Sequence, residues 1–87
     1  MLDELEQRVI KCIAQTQHLP VEKITLESTF EELGIDSLDG INIVFALENE
    51  FDIEIPDEAA QQIRSVREMI DGVRKLVEQK RAGTVGA

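Results

Sequence analysis

The run Leu33-Gly34-Ile35-Asp36-Ser37-Leu38-Asp39, continuing as Gly40-Ile41-Asn42-Ile43-Val44-Phe45-Ala46-Leu47-Glu48-Asn49-Glu50-Phe51, decides how this chain folds. Asp36 has a short side-chain oxygen that can accept N–H bonds at a helix start. Asp39 puts an acid in the first turn, where the helix dipole favours it. Together they predict a helix from Ser37 to about Phe51. At roughly 100° per residue, Ile43, Val44, Leu47 and Phe51 share one side, with Gly40 among them. That side is the expected core stripe, Gly40 letting a neighbouring helix approach closely. Leu38, Ile41 and Phe45 fall almost opposite, flanked by Glu48 and Asp52. A helix that buries one face in a small bundle has no packing use for this second apolar set. Apolar residues rimmed by charge mark an interaction surface. The alternative is that the preceding segment folds over them.

Working outward, Leu2, Leu5, Val9, Ile10, Ile13 and Ala14 recur at spacings of three and four, which predicts an amphipathic helix over about Leu2–Gln17. His18 is its solvated end, and Leu19-Pro20 stops it. A long connection from His18 to Asp36 follows, anchored by Val21, Ile24, Leu26, Phe30 and Leu33. Thr29-Phe30-Glu31-Glu32 has capping-box spacing and predicts one short helical turn, broken by Gly34. Pro56 is placed at the N1 position of a short third helix ending near Ile63. Ser65-Val66-Arg67-Glu68 is a second capping box, opening a last helix with Val66, Met69, Ile70, Val73, Leu76 and Val77 on its apolar stripe. Ile53-Glu54-Ile55 alternates like a strand but is too short to stand alone. The fold class is all-α, a small four-helix bundle of three long helices and one short third helix, with a long first loop. Residues 1–80 form the single domain, and 81–87, with Gly83 and Gly86, read as a flexible C-terminal tail.

A chain of 87 residues buries only about 60% of its unfolded surface, which favours a binding or carrier module over an enzyme with a deep cleft. The net charge of −9 argues against nucleic acid and anionic membrane surfaces, since binding them needs a cationic face. It suits a protein partner with a basic patch. No apolar run reaches the length of a membrane span and no secretory signal is visible, so a cytoplasmic monomer is expected. Cys12, the single cysteine, reads as a small packed hydrophobe, and His18 has no second ligand for a metal.

Between Lys23 and Arg64 there is no Lys or Arg, yet eleven of the eighteen acids fall there: Glu27, Glu31, Glu32, Asp36, Asp39, Glu48, Glu50, Asp52, Glu54, Asp57 and Glu58. Ser37 stands inside this segment with no base beside it. As a nucleophile it is poorly placed, because the surrounding acids disfavour an alkoxide. As an acceptor that another enzyme modifies it is well placed. A helix N-terminus offers unpaired N–H groups and partial positive charge to a phosphate ester on Ser37, which a singly charged, solvated diester could exploit despite Asp36 and Asp39. The alternative is ordinary helix-start chemistry. An EF-hand-like loop is excluded, because aligning Gly40 to its turn glycine puts Ile35 and Ala46 at ligand positions.

From Val21 to Val77 the order and spacing of Leu33-Gly34-Ile35-Asp36-Ser37-Leu38-Asp39, Ala46-Leu47-Glu48, Glu50-Phe51, Ile53-Glu54-Ile55-Pro56-Asp57-Glu58 and Ile63 resemble the acyl carrier proteins. That resemblance implies 4′-phosphopantetheine attached to Ser37, flanked by Asp36 and Leu38, and installed by a phosphopantetheinyl transferase. It implies thioester cargo delivered to fatty-acid, polyketide or other lipid biosynthetic enzymes: acyltransferases, synthases or ligases with basic docking patches. Leu38, Asp39, Ile41, Phe45 and Glu48 would form the docking face. Leu47, Ala60, Ile63 and Val66 would line an acyl-chain cleft. The chemistry would lie in the cofactor and the partners, the protein having no catalysis of its own. Asn42, Gly40, Phe45 and Arg64 depart from the pattern usual in fatty-acid synthesis, which keeps a specialised carrier open, including an aminoacyl or peptidyl one. A non-covalent acidic interaction module, with Ser37 only structural, is the other alternative.

Overall fold

The computed structural model describes the backbone of residues 2–86 and the side chains of residues 2–81. The described residues form four α-helices: α1 Glu4–Gln17, α2 Ser37–Phe51, α3 Asp57–Gln62 and α4 Val66–Gly86. The described residues contain no strand, and their single isolated bridge pairs Thr29 with Ser65. The all-α expectation of three long helices and a short third one holds.

Local chemistry sets the helix starts. Asp3 caps α1 by accepting from Glu6 N–H at 2.8 Å, while the Glu6 carboxylate accepts from Asp3 N–H, a reciprocal box that the D-x-x-E spacing already contained. The helix therefore begins at Glu4, two residues later than its apolar periodicity suggests. His18 ends it in the left-handed region at φ 56°. At the start of α4 Ser65 Oγ accepts from Glu68 N–H as expected, but the Glu68 carboxylate accepts from Arg64 N–H and the Ser65 hydroxyl, not from Ser65 N–H. Pro56 differs from expectation: at ψ 145° it is the N-cap of α3, not its first residue, and so α3 is only six residues long. α4 runs on to Gly86, past Arg81 where a tail was expected. The side chains of 82–86, and Ala87 altogether, lie outside the described residues.

The long connection is less irregular than its sequence suggests. A 3₁₀ turn spans Val21–Lys23, and Thr29 and Glu32 bond reciprocally to close a turn that Gly34, at φ 74°, terminates. Ile24 and Ile35 plug into the core and Leu26, Phe30 and Leu33 pack against it; Val21, expected as an anchor, is 50% exposed. The core is built from α1 (Val9, Ile13), α2 (Ile43, Leu47) and α4 (Val66, Met69, Val73), while α3 contributes no buried residue. Cys12 is buried within α1, and that burial pushes its thiol pKa up.

Gly40 does not mediate close helix packing. A Cβ placed there would meet nothing within 4 Å. With no contact to lose, Gly40→Ala removes only the helix penalty of glycine, about 0.8–1 kcal/mol. A rise of roughly 4 °C in thermal midpoint is expected for a domain of this size. An unchanged or lower midpoint would mean that glycine serves a constraint other than helix stability.

Candidate functional site

Ser37 opens α2 on the protein surface. Asp36 accepts from Asp39 N–H at 2.9 Å, and the Asp36 carbonyl accepts from Gly40 N–H at 2.9 Å. These bonds fix the first turn but leave the N–H groups of Ser37 and Leu38 without an acceptor among the described residues. Ser37 is exposed, and its Oγ takes part in no hydrogen bond within the described residues. The site thus offers an accessible hydroxyl at the positive end of a fifteen-residue helix dipole, with no base poised to deprotonate it. The donor set suits a phosphodiester on Oγ: two unpaired N–H groups and open space around a small side chain. Asp36 is committed to its cap, and Asp39 is half-buried in the first turn.

Beside the serine, Leu38 is 72%, Ile41 50% and Phe45 58% exposed. The preceding connection does not fold over them. Its apolar residues Ile24, Ile35 and Phe30 turn instead into the core, on the far side of α2 from this stripe. Leu38, Ile41 and Phe45 thus share one side of α2 next to Ser37, with Asp39 in the same first turn but around the helix from Ile41.

Glu48 is placed differently. It is partly buried, and its Oε2 accepts from Ile55 N–H at 2.8 Å. The four residues expected to line a cleft also separate. Leu47 and Val66 are fully buried in the closed core, whereas Ala60 and Ile63 are half-buried. An open groove of about 380 Å³ runs between α3 and α4, floored by Ile55, Ile63, Met69, Gly72 and Leu76. Of the expected cleft residues only Ile63 lines it. A chain sheltering against Leu47 or Val66 would have to part the helices first.

The electrostatics also change in three dimensions. Three of the eleven clustered acids find cations from outside their segment: Glu50 with Arg8, Glu27 with Arg67 and Asp52 with Lys80, at 2.9, 2.8 and 2.6 Å. Lys80 depresses the Asp52 carboxyl pKa by hydrogen bonding and then by charge. Arg8 additionally donates to the Glu50 carbonyl and lies 4.3 Å over the Phe51 ring, so it and Lys80 both serve the carbonyl end of α2. Among the described residues the acids around Ser37 have no such partners. Net charge of −9 still outweighs these exposed pairs, each of which contributes little. The thermal midpoint is expected to rise between low and moderate ionic strength as repulsion is screened. A flat or falling midpoint would show that the pairs dominate.

Comparison with known proteins brings these features together. Residues 7–73 match the family model described as a phosphopantetheine attachment site. An acyl carrier protein of Rickettsia bellii is 39% identical over 75 residues, spanning 85% of this chain and 87% of that one. The crystal structure of an acyl carrier protein from Thermotoga maritima superposes with a TM-score of 0.76 at 32% identity, covering 90% of this chain and 98% of that chain. The apo doublet acyl carrier protein from prodigiosin biosynthesis superposes at 0.72 with 29% identity, over 82% of this chain and 35% of its own length.

Proposed function

The chain belongs to the acyl carrier protein family, and from that membership we propose that Ser37 is the residue on which its 4′-phosphopantetheine is carried. The protein is an acyl carrier without catalytic activity of its own; the cofactor, when bound, supplies a terminal thiol that holds acyl groups as thioesters. In the loading step Ser37 Oγ bonds to phosphorus as the pyrophosphate link of coenzyme A breaks and adenosine 3′,5′-bisphosphate leaves. The hydroxyl proton goes to a base of the transferase, since no base adjoins Ser37. The resulting diester would keep one negative charge at the start of α2, where the unpaired Ser37 and Leu38 N–H groups could hold it.

The observation that carries this reading is an exposed serine at a helix start with an unengaged Oγ, beside an uncovered apolar stripe. Leu38, Asp39, Ile41 and Phe45 form the docking face for a phosphopantetheinyl transferase and for acyl-handling enzymes with basic patches, with Glu48 at its border. Asp36 holds the turn that presents Ser37. The cargo chain shelters first against Ile63, reaching Ala60, Leu47 and Val66 only as α3 moves aside. The carrier works as a cytoplasmic monomer; among the described residues no helix is long and apolar enough to cross a membrane. Intact mass after incubation with coenzyme A and a promiscuous transferase should rise by one phosphopantetheinyl group, and peptide mapping should put it on Ser37. Mapping to Ser28 or Ser65 would overturn the assignment.

A further inference from the structure

We infer that Glu48 is a positioning residue, whose carboxylate fixes the approach into α3 and thereby the groove between α3 and α4. Three bonds meet at Glu48. Its carbonyl accepts from Asp52 N–H and, at 3.2 Å, from Ile53 N–H, which is an ordinary way to finish a helix. The third bond, from Ile55 N–H to Oε2 at 2.8 Å, spans seven residues and follows from no helix-capping rule.

Ile55 is the natural pivot. Its side chain is 7% exposed and lines the groove, while its N–H points to Glu48. Pro56 follows and has no N–H to give, so Ile55 supplies the last backbone donor before α3. α3 has few other anchors, with six residues, none fully buried, and no side-chain cap at Pro56. Its far end is held separately, where Phe30 N–H donates to the Arg64 carbonyl and Val66 N–H to the Ser28 carbonyl. The near end rests on the burial of Ile53 and Ile55 and on Glu48. Partial burial also sets Glu48 apart from the exposed acids Glu50 and Glu54.

Charge and reach can be separated at this position. Glu48→Gln keeps an acceptor oxygen at the same reach but loses the charge. Glu48→Asp keeps the charge one methylene short of Ile55. Amide hydrogen exchange, followed by NMR on the unmodified 87-residue chain, reads the pin directly. In Glu48→Asp and Glu48→Ala, exchange at Ile55 should quicken about tenfold, the loss of one charge-assisted bond. Exchange along Asp57–Gln62 should rise with it, while α1 amides stay unchanged. Glu48→Gln should remain within about threefold of the parent protein, and Glu54→Ala should have no effect. Should Glu48→Ala fail to fold, the Asp and Gln variants decide by the same measurement. Unchanged exchange at Ile55 in Glu48→Asp, or Glu48→Gln as fast as Glu48→Asp, would overturn the inference. Because no cofactor is present in the test, its outcome is independent of whether Ser37 carries one.

Discussion

Ser37→Ala is expected to abolish phosphopantetheine loading, leaving intact mass unchanged after incubation with coenzyme A and transferase. The expectation is all-or-none because the ester oxygen itself is removed. Folding should be untouched. Ser37 is exposed, its Oγ has no hydrogen bond to lose, and the helix cap is supplied by Asp36, which stays in place. Alanine is also the better helix former at that position, so the thermal midpoint should hold within a degree or two. Lost loading with an unchanged midpoint ties the chemistry to one oxygen. Loading that persists in the variant sinks the Ser37 assignment, while leaving family membership standing.

Phe45→Ala should lower kcat/KM for transferase loading roughly 30-fold, chiefly through KM, as expected for an aromatic anchor contributing about 2 kcal/mol at an interface. Phe45 is 58% exposed and lies on the face of α2 opposite the core stripe of Ile43 and Leu47, so its removal opens no cavity. Stability therefore stays within about 0.5 kcal/mol, the usual range for surface changes. Val21→Ala is the matched control: Val21 is comparably exposed, at 50%, and apolar but lies on the 3₁₀ turn, away from the stripe. Equal losses for Phe45→Ala and Val21→Ala would indicate a nonspecific hydrophobic effect and dismiss the docking face. Asp39→Asn should act differently, lowering association mainly at low salt, because solvent-accessible charge steers encounter more than it stabilises the bound state.

Much of this molecule was legible in its sequence for identifiable reasons. Helix α2 was bounded correctly because its start and end depend on Asp36 and on the chain immediately around it. The same holds for the start of α4 just after Ser65 and for the end of α1 at Gln17. The miss at Pro56 was also local: proline satisfies both the N-cap and the N1 position, and only the backbone ψ distinguishes them. The miss at Gly40 had another origin. Helical periodicity put it on the core side, but whether a neighbour approaches that spot depends on how α1 and α4 cross α2.

What sequence alone determined was therefore the set of helices, the surface serine at the start of α2, and the two apolar faces of that helix. Each follows from interactions among residues within about one turn, whose geometry the backbone fixes. Tertiary structure decided that the loop leaves Leu38, Ile41 and Phe45 uncovered, that Leu47 and Val66 are sealed in the core, and that Arg8 and Lys80 neutralise acids far away in the chain. It also turned Glu48 toward Ile55. These outcomes depend on where separate helices settle once their apolar stripes compete for a single small core, and no local pattern encodes that settlement.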